Sequence, residues 1–389
     1  MKLALAFGVI ALTGAAPQAS VLGFDYDAKR LSWYVPGTLA PATRAATSWN
    51  RSLCSWSFAP DRRRLALSDC NGTVRLLDVP SLKIVGQTSP GDLEDAAALA
   101  WVTPGRLLAV NRASGGVATL LVVDTNARRV MRRVDLDGVL VDRAIVRDQV
   151  VLLVAPFDSF GPARVVTADA SGNLRTAVID GVSAGSHLGN AAGTDPVGEV
   201  RTPGFAVDPA GTAFVVGGDL RAASVDLATM RVSYHGPTRV LAKALNGTTR
   251  IAAWLGGGKL AVSGIDYASS GTGGDLKVTS TPYGLHLLDT STWTYRTLST
   301  SADGLIAAGR TVFGTAPDAF GAYDASGAHL YDLPMPGRTW LTATGRYGYV
   351  CTDRWLTRIT ELPTGNAVTT PKPKTRACPT VLAGRASPF

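Results

Sequence analysis

The sequence predicts an all-β protein assembled from repeated four-stranded units, and three observations carry that expectation. Turn-forming residues are dense, with 42 Gly and 22 Pro among 389 residues, which excludes coiled coils and helical bundles. Apolar residues make up 46% and charged residues 17%, a balance that buries a core and rules out intrinsic disorder. Finally, an apolar strand that ends in an acidic residue and runs into a polar turn recurs along the chain. The copies VRLLDVPSLKIV, LLVVDTNARRVM, RVVTADASGNLRTAV, AASVDLATMRVSY, LHLLDTSTWTYRTL, FGAYDASGAHLYDL and LTRITELPTGNAVT carry Asp78, Asp124, Asp169, Asp226, Asp289, Asp324 and Glu361. Successive acidic residues stand 46, 45, 57, 63, 35 and 37 residues apart.

Residues 1–20, MKLALAFGVIALTGAAPQAS, combine one Lys, an apolar run and small residues, the pattern of a secretory signal peptide. Read otherwise, the same run is a first strand of the fold. The leader reading leaves 21–389 as a single domain, exported to the cell envelope or the medium. No later stretch has the ~20 apolar residues that a membrane-spanning helix needs. Cys54, Cys70, Cys351 and Cys378 are an even set, which in an exported protein suggests two disulfides. A hairpin turning near Arg62 sets Cys54 opposite Cys70 and leaves Cys351 for Cys378. The alternative is free buried thiols.

Each acidic copy follows two further short strands, such as CSWSF and RLALSDC, or GFAVD and TAFVVGG. Trp56, Trp101, Trp254 and Trp340 recur on the first strand of four units. Four-stranded units at a spacing of about 40–50 residues point to a β-propeller of antiparallel blades. Counting strands gives seven or eight blades. Eight is favoured, because the leftover N-terminal strands VLGFDYD, RLSWYV and the next one need a fourth partner. A C-terminal strand near CPTVLAG supplies it, so that the two termini share one blade and close the ring.

The lines VDPAGTAFVVGGDLRAASVDLATMRVSYH and SFAPDRRRLALSDCNGTVRLLDVPSLKIVG resemble the YncE/YVTN-type repeat of secreted bacterial propellers, kin to NHL and WD40-like repeats. The resemblance covers nearly all of the chain after the leader, with looser third and sixth copies. It implies a propeller fold and little about function, since such propellers bind varied partners. The Ala, Arg, Gly and Val bias is similar to that of a GC-rich actinobacterial genome.

Three connections are long: 180–202, 234–249 and 265–284. In a propeller all three fall on one face, where long loops usually serve function. His187, Asn190, Asp195, Glu199, His235, Asp266 and Tyr267 are the groups expected to line that rim. Gly181 to Gly185 fits GxSxG, but the elbow needs a helix after the serine, and SHLGNAAGTDPVG is none. The cysteine and histidine spacing matches no metal or cofactor motif. On the opposite face Arg62, Arg63, Arg64, Arg128, Arg129, Arg132 and Arg133 form a basic patch. It suits an anionic polymer, or else keeps outer strand edges from pairing with another molecule. The leader and the lack of aromatic interleaving argue against nucleic acid. The expectation is therefore a secreted, monomeric binding scaffold for a protein, a cell-wall glycan or an anionic polymer. The rival is a lyase- or hydrolase-type propeller enzyme with its site on the long-loop face.

Overall fold

The computed structural model describes residues 21–25, 28–35, 39–49, 53–69, 72–79, 81–88, 98–111, 117–186, 200–219, 221–236, 245–270, 277–317, 319–334, 340–343, 348–351, 355–361, 366–371 and 380–381. Strands β1 (Val21–Asp25), β2 (Arg30–Tyr34) and β3 (Pro41–Ser48) open the chain. Next come β4 (Leu53–Phe58), β5 (Arg64–Asp69), β6 (Val74–Asp78) and β7 (Ile84–Thr88), then β8 (Ala98–Thr103), β9 (Arg106–Asn111), β10 (Thr119–Asp124) and β11 (Arg129–Asp135). The middle of the chain holds β12 (Val139–Val146), β13 (Gln149–Ala155), β14 (Phe160–Asp169), β15 (Leu174–Ser186) and β16 (Val200–Thr202). It continues through β17 (Gly204–Val207), β18 (Thr212–Val216), β19 (Ala222–Asp226) and β20 (Arg231–His235). Then follow β21 (Leu245–Gly256), β22 (Lys259–Ser270), β23 (Lys277–Pro282), β24 (Leu285–Asp289) and β25 (Thr294–Ser299). The last stretch carries β26 (Gly304–Ala308), β27 (Thr311–Thr315), β28 (Ala319–Asp324), β29 (His329–Pro334), β30 (Trp340–Ala343), β31 (Gly348–Cys351), β32 (Trp355–Glu361), β33 (Asn366–Pro371) and β34 (Thr380–Val381).

Five blades are antiparallel sheets of four consecutive strands: β4–β7, β8–β11, β17–β20, β26–β29 and β30–β33. This corrects the expected seven or eight separate blades. The other strands fall into two sheets that break the consecutive plan. One, in the order β3-β2-β1-β34, joins the two ends of the chain, with Gly23 opposite Val381 and Phe24 opposite Thr380. The other is a ten-stranded sheet from β12 to β25, in which longer strands and an extra short one fuse what the repeat spacing separates.

The core lies between sheets rather than within them. On β5, Leu65 and Leu67 face a core shared with β1, β2 and β4, while Ala66 faces one shared with β8, β9 and β10. Likewise Leu108 and Val110 of β9 face one neighbour, and Leu107 and Ala109 face the other. Side chains alternate along a strand, so a strand buried on both faces reads as a continuous apolar run. This is why RLALSD and RLLAVN show no polar alternation. No unit covers its own faces, so each is stable only between neighbours. Truncating a residue such as Leu67, fully buried, to Ala costs about 2–5 kcal/mol.

The recurrent acidic residue closes the turn after the third strand. All seven copies end that strand, from β6 through β32. The N–H groups of Asn126 and Ala127 donate to Asp124 at 2.9 and 2.8 Å, and those of Ala228 and Thr229 to Asp226, both at 2.8 Å. Ser171 and Asn173 do the same for Asp169, Ser291 for Asp289, and Ser326 and Ala328 for Asp324. A carboxylate that accepts such bonds titrates low. The Ala127 N–H holds Asp124 below its ordinary value, the Thr229 N–H holds Asp226, the Lys259 ammonium Asp289, and the Ser326 hydroxyl Asp324. Burial pushes Asp169 up, and the Asn173, Ser171 and Gly172 donors together outweigh it. In these copies the repeat signature is thus a turn cap.

Cys54 is disulfide-bonded and sits at a bulge. Pairing shifts there from Leu53 opposite Asp69 to Ser55 opposite Ser68, so Cys54 is offset from the directly opposed position the hairpin count suggests. Cys70 and Cys378 lie outside the described residues, as do residues 1–20.

Candidate functional site

Connections from a fourth strand to the next first strand, and from a second to a third, leave the same end of a blade. On this upper end the described parts of the three connections read as loops are largely strand. β15 runs on to Ser186, β16 follows at Val200, and β21 and β22 are 12 residues each. β23 pairs only with the outer half of β22. β16 lies antiparallel to β15 and parallel to β21, so the ladder passes over the blade β17–β20 that separates them in sequence. In the described parts of these lengthenings the backbone pairs in ladders, which long surface loops cannot offer.

Arg250 of β21 fastens this ladder to the blade beneath it. Its Nη2 donates to the Gly218 carbonyl at 3.0 Å and to Asp266 Oδ1 at 2.6 Å, and Nη1 to the Thr249 and Ile265 carbonyls at 2.9 and 3.2 Å. The guanidinium lies 3.8 Å from the Tyr283 ring centroid, an arrangement that stabilises a desolvated cation. Its side chain is 0% exposed. Gly218 belongs to the turn between β18 and β19 and allows the approach, since a Cβ there would meet Thr248 Oγ1 at 2.4 Å.

The residues expected on this rim do not converge. Asp266 is committed to Arg250. Tyr267 is its neighbour on β22, so it points to the other face of the sheet. His235 ends β20, stacks on Trp293 at 3.6 Å between centroids, and contacts Ser224 Oγ through Nε2 at 2.8 Å. Burial holds its pKa below the ordinary value, which leaves it neutral at pH 7. His187, Asn190, Asp195 and Glu199 lie outside the described residues. Ser183 is on strand β15, which runs on to Ser186, and accepts a bond from Arg201 Nη1 at 2.9 Å. Among the described residues no group of three or more His, Cys, Asp or Glu could hold a metal ion, and no helix is long and apolar enough to cross a membrane.

On the lower end, arginines tie three units to the turn of the next. Arg132 of β11 donates to Ser171 O at 3.2 Å and Asn173 Oδ1 at 2.9 Å. Arg175 of β15 donates to the Leu227 and Ala228 carbonyls, and Arg296 of β25 to the Ser326 carbonyl. The stack of His235 on Trp293 occupies the equivalent junction. Arg64 reaches Asn126 Oδ1 at 3.3 Å, and Arg128 lies against Gly86 of β7. Of the seven arginines read as a patch, Arg64, Arg128 and Arg132 therefore serve blade junctions. Arg62, Arg63, Arg129 and Arg133 are exposed.

One buried and one partly buried charge escaped the sequence reading. Arg250 shares strand parity with the buried Thr248 and Ala252, and a cation on the apolar side of a strand is a legible signal. Arg143 of β12 sends Nη2 to Ser55 Oγ on β4 at 3.1 Å, past the intervening β8. Burial pushes the adjoining Asp142 up to about 6 and Arg143 down to about 10.

No family model and no curated protein matches the chain. Among solved structures 1389 chains are similar, a breadth that separates fold from function. One is dihydro-heme d1 dehydrogenase NirN in complex with DHE. It matches 92% of this chain and 74% of its own length, with a TM-score of 0.60 at 14% identity. That likeness is one of fold. The protein is an all-β propeller of small antiparallel four-stranded blades.

Proposed function

We propose that the protein is a secreted propeller scaffold that binds a cell-envelope partner through the fused upper rim formed by β15, β16, β21, β22 and β23. One observation carries the reading: these strands exceed the four-strand plan of the other blades and build a continuous surface across a third blade. Asp266 and His235 are engaged internally and are poor general acids or bases there, which favours binding over catalysis. The ring counts eight units if the ten-stranded sheet is divided at β16 and the terminal sheet is included. In support, the first strands β4, β8, β12, β17, β21, β26, β30 and β34 follow one another in contact. The leader-like residues 1–20 support export, and with it the pairs Cys54–Cys70 and Cys351–Cys378.

The test is co-sedimentation of purified protein with cell-wall sacculi that retain their anionic polymer. Tyr267→Ala combined with Val278→Asp on β23 should abolish pelleting and leave the melting temperature unchanged. If pelleting survives, and is lost instead with Arg62→Glu and Arg63→Glu and with rising salt, the lower face is the working surface and the proposal fails.

A further inference from the structure

A second concave site lies beside the rim, at the upper ends of the blade β8–β11 and the meander β12–β15. The turn at Asp137 and Gly138, the turn from Pro156 to Ser159, and Val117, Pro162, Arg164 and Val178 enclose a cleft of about 440 Å³, within the usual range for small-molecule sites. Val117, Phe157 and Val178 are three of the ten large apolar side chains exposed among the described residues, at 39, 41 and 45%. Their gathering around one concavity sets it apart from scattered surface apolar residues.

The polar groups are fixed in advance. Arg164 Nη1 donates to Asp137 Oδ2 at 2.7 Å, and Nη2 donates to the Asp137 carbonyl. The Arg164 side chain is only 19% exposed, whereas Asp137 is 91% exposed, so the cation lies beneath and the carboxylate faces out. A Cβ on Gly138 would meet the Ala155 carbonyl at 2.3 Å and Arg164 Nη2 at 2.7 Å, so this packing needs glycine. Asp137 and Asp158 hold φ of +51 and +45, conformations that persist where the surroundings enforce them. Ser159 Oγ donates its proton to the Phe157 carbonyl at 3.1 Å, which leaves its lone pairs to accept.

The cleft thus presents acceptors, Asp137 Oδ1 and Ser159 Oγ, beside an open phenyl ring, while the guanidinium charge is already answered by Asp137. An anionic ligand would meet the outward carboxylate first. A cationic one would compete with Arg164 for a charge already balanced. The complement is an uncharged molecule with several O–H donors and one apolar face. We infer that the cleft binds a pyranose ring of a neutral oligosaccharide, its C–H face on Phe157 and its hydroxyls donating to Asp137 and Ser159. The inference does not depend on the rim reading, since Tyr267 and Val278, the residues that test the rim, do not line the cleft.

The experiment is calorimetric titration of the full chain with cellotetraose, laminaritetraose and chitotetraose. Sulfated cellotetraose and deacetylated, cationic chitotetraose serve as charged comparators. At least one neutral tetrasaccharide should bind. Phe157→Ala should weaken it ten-fold or more and Asp137→Asn about three- to ten-fold, while Phe157→Tyr keeps the affinity and shows that the turn still folds. Tyr267→Ala on the rim should leave it unchanged. No binding of any neutral tetrasaccharide, binding indifferent to Phe157→Ala, or preference for either charged comparator would overturn the assignment.

Discussion

Asp266 shows how a residue chosen as a ligand group can be consumed by the fold. Acidic residues in a long connection usually point to water, but Arg250 brings a fully desolvated cation within 2.6 Å of this one. Removing one partner of a buried ion pair costs about 3–5 kcal/mol, because the other charge is left uncompensated. Asp266→Ala should lower the unfolding free energy by about that much in urea titrations. The double variant Asp266→Ala, Arg250→Met should recover most of the loss. Equal destabilisation of the single and double variants would mean that the pair does not fasten the rim.

At the scale of the element, turns are built in two ways after the same acidic cap. Gly172 and Gly327 take φ of +77 and +83 in the tighter turns, where their N–H groups donate to Asp169 and Asp324 carbonyls. Met230 and Trp293 take +60 and +57 one residue later, with N–H donated to Asp226 and Asp289. The turn between β4 and β5 stores the same strain, with Arg62 at φ +56 and exposed. A left-handed non-glycine residue costs about 1–2 kcal/mol, and glycine loses about 0.4–1 kcal/mol more chain entropy on folding. Arg62→Gly should therefore raise stability by roughly 0.5 kcal/mol, whereas Arg63→Gly, free of that strain, should lower it. A fall in melting temperature with both would place Arg62 in a contact worth more than its strain.

The whole molecule should show a stability maximum set by opposing carboxylates. Asp142 has its pKa raised by burial to about 6, so the stability it contributes is complete below its unfolded value of ~3.9 and is lost as pH rises through about 6. Asp124, Asp169, Asp226, Asp289 and Asp324 are depressed. Their contribution is present above ~3.9 and lost as pH falls below it. Urea midpoints measured from pH 3 to 8 should peak between about pH 4 and 5. Asp142→Asn should flatten the fall between about pH 4 and 6 and leave the acid limb unchanged. An unaltered alkaline limb in that variant would show that Asp142 titrates normally.

The apolar runs, the acidic turns and the recurring first-strand tryptophans were enough to determine an all-β repeat protein. Each is a local property: strand burial on two faces writes a continuous run, and a turn cap needs its carboxylate at one place. Even the meeting of the ends was legible, because three N-terminal strands lacked a fourth. The joining of β15, β16, β21 and β22 into one ladder was not. β16 pairs with β21 more than forty residues away, and no period within either segment encodes that partner. Nor could spacing tell that Arg132, Arg175 and Arg296 serve the next blade's turn, since an exposed outer strand and a junction strand carry the same residues. Asp137 and Arg164 are likewise a pair only because the turn at Gly138 lies over β14. Strand and turn identity follows from neighbours along the chain, whereas rim, junctions and cleft depend on which strands the ring sets side by side.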